Sequence, residues 1–153
     1  MNVNKHHKTI FFIFILIIAG SLVWLQFSKH IQSKGKIKCI NLEAYWDEEC
    51  INPVMMVDWG LIGEGETVNQ TLYLKNIGST RCVISMYGNN WIPTNADEYF
   101  TLTWTGVNAT LLVNEVEEFT ISLHFSDGNV DFINFSFDLV FEATEIDDVI
   151  SIS

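Results

Sequence analysis

Residues 133–141 read Ile-Asn-Phe-Ser-Phe-Asp-Leu-Val-Phe, and the rhythm of that stretch decides the fold. In an extended chain successive side chains point to opposite faces, so Ile133, Phe135, Phe137, Leu139 and Phe141 share one side and Asn134, Ser136 and Asp138 the other. A helix would scatter the same phenylalanines around its circumference. The pattern recurs at 119–125, where Phe119, Ile121, Leu123 and Phe125 oppose Thr120, Ser122 and His124. It recurs again at 68–76, where Val68, Leu72 and Leu74 oppose Asn69, Thr71, Tyr73 and Lys75. Strands with one polar face each predict antiparallel sheets closing over a common core. Weaker strands are expected at 54–59, 81–87, 99–104 and 109–113, the second of them burying Cys82 with Ile84 and Met86. Turn-forming clusters separate them at 60–66, 76–79, 88–90, 105–108 and 127–129. About seven short strands make an all-β sandwich, with Trp91, Pro93 and Trp104 expected to plug one end of it.

Upstream the chain changes character. Residues 10–27 form an apolar run in which only Ser21 and Gln26 are appreciably polar, long enough for a transmembrane helix. Ala19-Gly20-Ser21 would suit cleavage of a signal peptide, but the apolar run continues through Leu22, Val23, Trp24, Leu25 and Phe27, which favours an uncleaved anchor. The expected organisation is a tail over 1–9, the anchor over 10–27, a solvated basic stalk over 28–38, the sandwich over 39–146 and an acidic tail over 147–153. Lysines 29, 34, 36 and 38 outnumber Lys5 and Lys8, which by the positive-inside rule alone puts the sandwich in the cytoplasm. The short tail before the first apolar segment, the sequons and a plausible disulfide favour the opposite, single-pass orientation with the sandwich outside the cell.

Charge divides the chain in the same place. The first 38 residues carry +6 and the remainder −17, and only Lys75 and Arg81 are basic beyond Lys38. So acidic a domain has almost nothing with which to neutralise phosphates, and nucleic acid is excluded as its partner. A basic partner or a cation-rich setting suits it better.

Three stretches carry a resemblance to a known group. Val57-Asp58-Trp59-Gly60, Gly63-Glu64-Gly65-Glu66 and Leu72-Tyr73-Leu74-Lys75-Asn76-Ile77-Gly78 resemble the opening of the ASH and MSP-like group of immunoglobulin-like modules. The segments Asn90-Trp91-Ile92-Pro93, 99–104 and 135–139 are similar to those of membrane-anchored archaeal surface proteins with one such domain. The resemblance spans 50–144 and implies an immunoglobulin-like antiparallel sandwich without catalytic residues. The antibody-type Cys…Trp…Cys arrangement is missing. Independently of any family, Gly60, Gly65 and Gly78 permit the chain reversals, and Asn76 can cap its corner through its own side-chain amide.

Candidate chemistry is sparse. Asn69, Asn108 and Asn134 head N-x-S/T sequons on outward faces or loops and are candidate glycosylation sites. Cys39 and Cys50 would close a loop of about 12 residues, worth roughly 3 kcal/mol as a disulfide in an oxidising compartment; Cys50 with Cys82 and three free thiols are the alternatives. Asp127-Gly128-Asn129-Val130-Asp131 spaces oxygen ligands like a calcium loop but lacks the downstream bidentate glutamate, and hairpin turns use the same residues. Nucleophilic catalysis needs a base beside a nucleophile; His124 falls on a solvent face and Cys82 inside. No enzyme, metal or cofactor is expected. The expected function is an extracytoplasmic module that meets an envelope protein or itself, with membrane lipid contacted through 10–27. The alternative is a subunit of a surface filament or membrane complex assembled by strand addition, for which Ile150 and Ile152 in the tail offer a donor strand.

Overall fold

The computed structural model describes residues 30–126, 128 and 130–146, with His30, Lys38 and Cys39 described by backbone alone. These residues form nine strands: β1 His30–Ile40, β2 Leu42–Tyr45, β3 Met56–Gly63, β4 Thr67–Asn76, β5 Cys82–Ile92, β6 Phe100–Trp104, β7 Thr110–Leu111, β8 Val116–Phe125 and β9 Asn134–Glu145. One 3-10 turn, Ala96–Glu98, lies between β5 and β6. Sheet A has the order β3-β1-β9-β5-β7 and sheet B the order β2-β4-β8-β6. Every successive strand changes sheet, so all pairing within a sheet is non-local. The result is a two-sheet β-sandwich. Among the described residues no helix is long and apolar enough to cross a membrane; the apolar run 10–27 lies outside them.

The core follows the alternation. Phe119, Ile121, Leu123 and Phe125 of β8 meet Phe135, Phe137, Leu139 and Phe141 of β9 across the sheets, all buried. Ile133 is the exception: it precedes the strand and is 73 % exposed. The tryptophans close opposite ends of the core rather than one. Trp91 stacks on Phe137 with centroids 4.2 Å apart, near the end where β1 and β9 begin, hereafter the lower end. Trp104 packs on Phe119 and Phe141 near the upper end. Gly88-Asn89-Asn90, expected as a turn, instead belongs to β5, where a register break between Asn89 and Ile92 with Asn90 at φ 52° re-aims the strand. The bulge lays the Trp91 ring over Gly88, where a Cβ would come within 2.8 Å of it.

The larger correction concerns the basic stalk. From His30 onward it is β1, paired antiparallel with β3 and parallel with β9. Ile31, Ser33 and Gly35 face the core while Gln32, Lys34 and Lys36 face solvent. The inward set contains a serine and a glycine, so the hydrophobic rhythm is silent. Gly35 is required there because the Trp59 and Phe137 rings fill the space of its side chain, Trp59 Nε1 lying 3.1 Å from the Cβ position. The lysines sit comfortably on sheet A because the register sets Lys34 beside Asp58 and Lys36 beside Asp138. With β1 and the short β2 the strands number nine, against about seven expected.

Candidate interaction surface

Two features of the outer surface stand apart from plain solvated polarity. The first is on sheet B, where β2, β4 and β8 bring Glu43 opposite Lys75, Tyr45 opposite Tyr73, and Tyr73 opposite Glu118. The Tyr45 hydroxyl donates to Glu43 Oε2 at 2.6 Å and the Tyr73 hydroxyl to Glu118 Oε2 at 2.8 Å. The hydrogen bond to the Glu43 carboxylate pushes the Tyr45 phenol up to about 12; the bond to Glu118 raises Tyr73 in the same way. Alongside, the Asp47 carboxylate accepts the backbone N–H groups of Ile51 and Asn52, each at 2.8 Å. Those bonds favour its charged form, the Ile51 amide most, and hold its carboxyl below the usual range. They also fix a loop that presents Trp46, Glu48 and Glu49 to solvent. Aromatic rings beside carboxylates make this a surface suited to cationic side chains.

The second feature is an open sheet edge. Thr105 N–H bonds to Thr120 C=O and Ser126 N–H to Tyr99 C=O, so the odd-numbered residues of β6 hydrogen-bond to β8. Phe100, Leu102 and Trp104 therefore turn their N–H and C=O groups away from the sheet, and among the described residues nothing pairs with them. The other edges are blunted. Asn52–Val54 covers β2, with Val54 N–H on Ala44 C=O at 2.8 Å. On β3 the Asp58 carbonyl accepts from Gln70 Nε2 and the Asp58 carboxylate takes the Gly60 N–H. β7 is two residues long.

The residues singled out in the sequence fall as follows. Asn69 is exposed on the outer face of β4, Asn108 is exposed in the turn before β7 at φ 62°, and Asn134 is exposed where β9 begins. Asn76 is buried, its Oδ1 accepting the Gly78 N–H at 2.9 Å and its Nδ2 donating to Thr80 and Leu111 carbonyls. Cys50 is a free thiol on the Glu48 carbonyl at 3.6 Å; the side chain of Cys39, its expected partner, lies outside the described residues. Cys82 is buried, which pushes its thiol up. It sits at the upper end of β5, whereas His124, bonded to the Thr67 hydroxyl, sits at the lower end of β8, so the fold does not bring the two together. Among the described residues no cluster of His, Cys, Asp or Glu could hold a metal. Asp127, Asn129 and the tail 147–153 lie outside them.

Sequence reasoning missed the apolar side chains of the lower end. Leu61, Ile92 and Ile133 are 63, 66 and 73 % exposed, and Ile92 lines a shallow groove of about 310 Å³ with Gln32, Lys34, Asn134, Phe135 and Ser136. A register break precedes Leu61 and Ile92, and Ile133 lies just before β9 begins, so the parity on which alternation depends fails at all three. No family model matches the chain, and no curated protein matches it. Fold and surface together define, among the described residues, an all-β, two-sheet sandwich with an acidic aromatic face and an open edge at β6.

Proposed function

We propose that the chain is a membrane-tethered, extracytoplasmic interaction module without catalysis: an immunoglobulin-like sandwich of the ASH and MSP-like kind, held by residues 10–27 and meeting an envelope partner through its acidic face. The observation that carries this reading is the continuity of tether and fold. The apolar run ends at Phe27, and three residues later β1 begins, a strand gripped on both sides within sheet A. So short a link keeps the domain close to the bilayer. The glycine and asparagine corners behind the family resemblance also support it, with Gly60 at φ 71° and Asn76 capping its turn.

Protease shaving of intact cells, followed by mass spectrometry of the released peptides, tests the assignment. Peptides from residues 54–141 are expected from intact cells; their release only after lysis would place the sandwich on the other side. The open β6 edge favours a second reading, assembly by strand addition. Leu102→Pro removes an outward N–H while leaving the ladder to β8 untouched. Multimers in mild detergent that vanish with this variant support strand addition, and multimers that persist exclude the β6 edge as the joint.

A further inference from the structure

We infer that the lower end of the sandwich rests on the bilayer, with Leu61, Ile92 and Ile133 seated in the head-group layer. The inference rests on reading residues 10–27 as a membrane span, and deepens it by naming the surface that meets lipid. The argument begins with length. From Phe27 to His30 the chain makes three Cα–Cα steps of about 3.8 Å, so its reach is at most about 11 Å. Each polar layer of a bilayer is about 5 to 7 Å deep. The link is too short to lift the start of β1 far above the head groups.

The fold then fixes what lies beside that start. β3 and β9 flank β1 at about 5 Å each, with His30 opposite Gly63, Gln32 opposite Leu61, and the Gln32 N–H bonded to the Ile133 carbonyl. Ile92, opposite Ser136, lies one strand further along the same end. Three of the largest exposed aliphatic side chains of the domain are thus gathered where the tether enters. The groove at this end has the composition of an interfacial site, lined by the apolar Ile92 and Phe135 together with the ammonium of Lys34 and the amides of Gln32 and Asn134. Asp97 and Glu98, in the turn between β5 and β6, stand at the same end and oppose anionic head groups. The contact is therefore one of apolar burial, made by the sheet A side, and a neutral phosphatidylcholine surface suffices for it.

The test uses the full chain with Cys39, Cys50 and Cys82 replaced by alanine and a single cysteine introduced as Leu61→Cys, Ile92→Cys or Ile133→Cys. The control is Leu112→Cys, equally apolar and 59 % exposed, but just beyond β7 at the upper end. All four labelled sites are exposed, and Cys82→Ala, the one change within the described core, is common to every variant and trims a single sulfur. Each variant is labelled with an environment-sensitive fluorophore and reconstituted into phosphatidylcholine vesicles containing lipid with a nitroxide on the head group. Flotation after an alkaline wash is scored first. Chains that float, lose emission to the nitroxide at 61, 92 and 133 and keep it at 112 bear the inference out. Chains that float but show no quenching at the three lower sites overturn it and leave the anchor standing. A blue-shifted label at 133 without quenching also overturns it, because protein and not lipid then covers the end. Chains that fail to float remove the anchor, and the inference with it.

Discussion

Replacing Asn76 with alanine removes one small side chain that closes three parts of the sandwich at once. Asn76 is 1 % exposed at the end of β4. Its Oδ1 holds the Gly78 N–H at 2.9 Å, and its Nδ2 reaches the Thr80 carbonyl at 2.8 Å and the Leu111 carbonyl of β7 at 3.2 Å. Three bonds at about 1 kcal/mol each predict a loss of about 3 kcal/mol for Asn76→Ala, a large share of a domain's usual 5 to 15 kcal/mol. The matching fall in melting temperature is roughly 10 °C for a domain of this size. Urea titration followed by tryptophan emission, with both proteins in the same mild detergent, measures it. A loss below about 0.5 kcal/mol would mean that water replaces the amide without cost, and would refute the reasoning. Asn76→Asp sharpens the test, since it keeps an acceptor for Gly78 but sets a carboxylate against two carbonyl oxygens. The folded protein then disfavours the charged form. The deficit should be smallest at acid pH, where an acid O–H can donate, and should grow as pH rises above about 4.

Other expectations follow from single groups. Ser33 Oγ is fully buried on β1 with no hydrogen-bond partner, so Ser33→Ala should leave urea stability unchanged or raise it by up to about 1 kcal/mol, and a clear loss would count against that environment. An ultraviolet titration of tyrosine absorbance should show a phenol ionising near 12, with Glu43→Gln bringing it down towards the ordinary tyrosine range. Because that folded value is raised, whatever the Tyr45 bond contributes is intact below about pH 10 and fades as pH climbs through 12. A maleimide should label Cys50 in the native protein and leave Cys82 unmodified until denaturant is added; native labelling of Cys82 would contradict its burial.

The strands that were legible in the sequence are those whose inward residues are large and apolar, β4, β8 and β9. Their parity also placed Asn69, Asn134 and His124 outward, and the weaker alternation of β5 placed Cys82 inward. β1 was illegible for a specific reason: where Trp59 and Phe137 occupy the interior, the facing strand needs Ser33 and Gly35, and small inward residues leave only the outward lysines to be read. β5 ran past its expected end because Gly88-Asn89-Asn90 serves as a bulge, a use that shares its residue chemistry with a turn. Tyr45 and Glu43, two apart on one strand, were readable in principle as same-face neighbours. The open edge of β6 was not, because no two consecutive strands share a sheet and strand order is therefore hidden from local pattern.

The parallel pairing of β1 with β9 has a mechanical consequence. Nine consecutive residues of β1, from Gln32 to Ile40, are in register with Asn134–Glu142, and the two strands run the same way. A pull on the lower end of β1, against a load on the upper end of β9, drags the two strands past one another along their length. The whole ladder must then yield together, where peeling would break one rung at a time. A module built this way bears tension along the line joining the start of β1 to the end of β9.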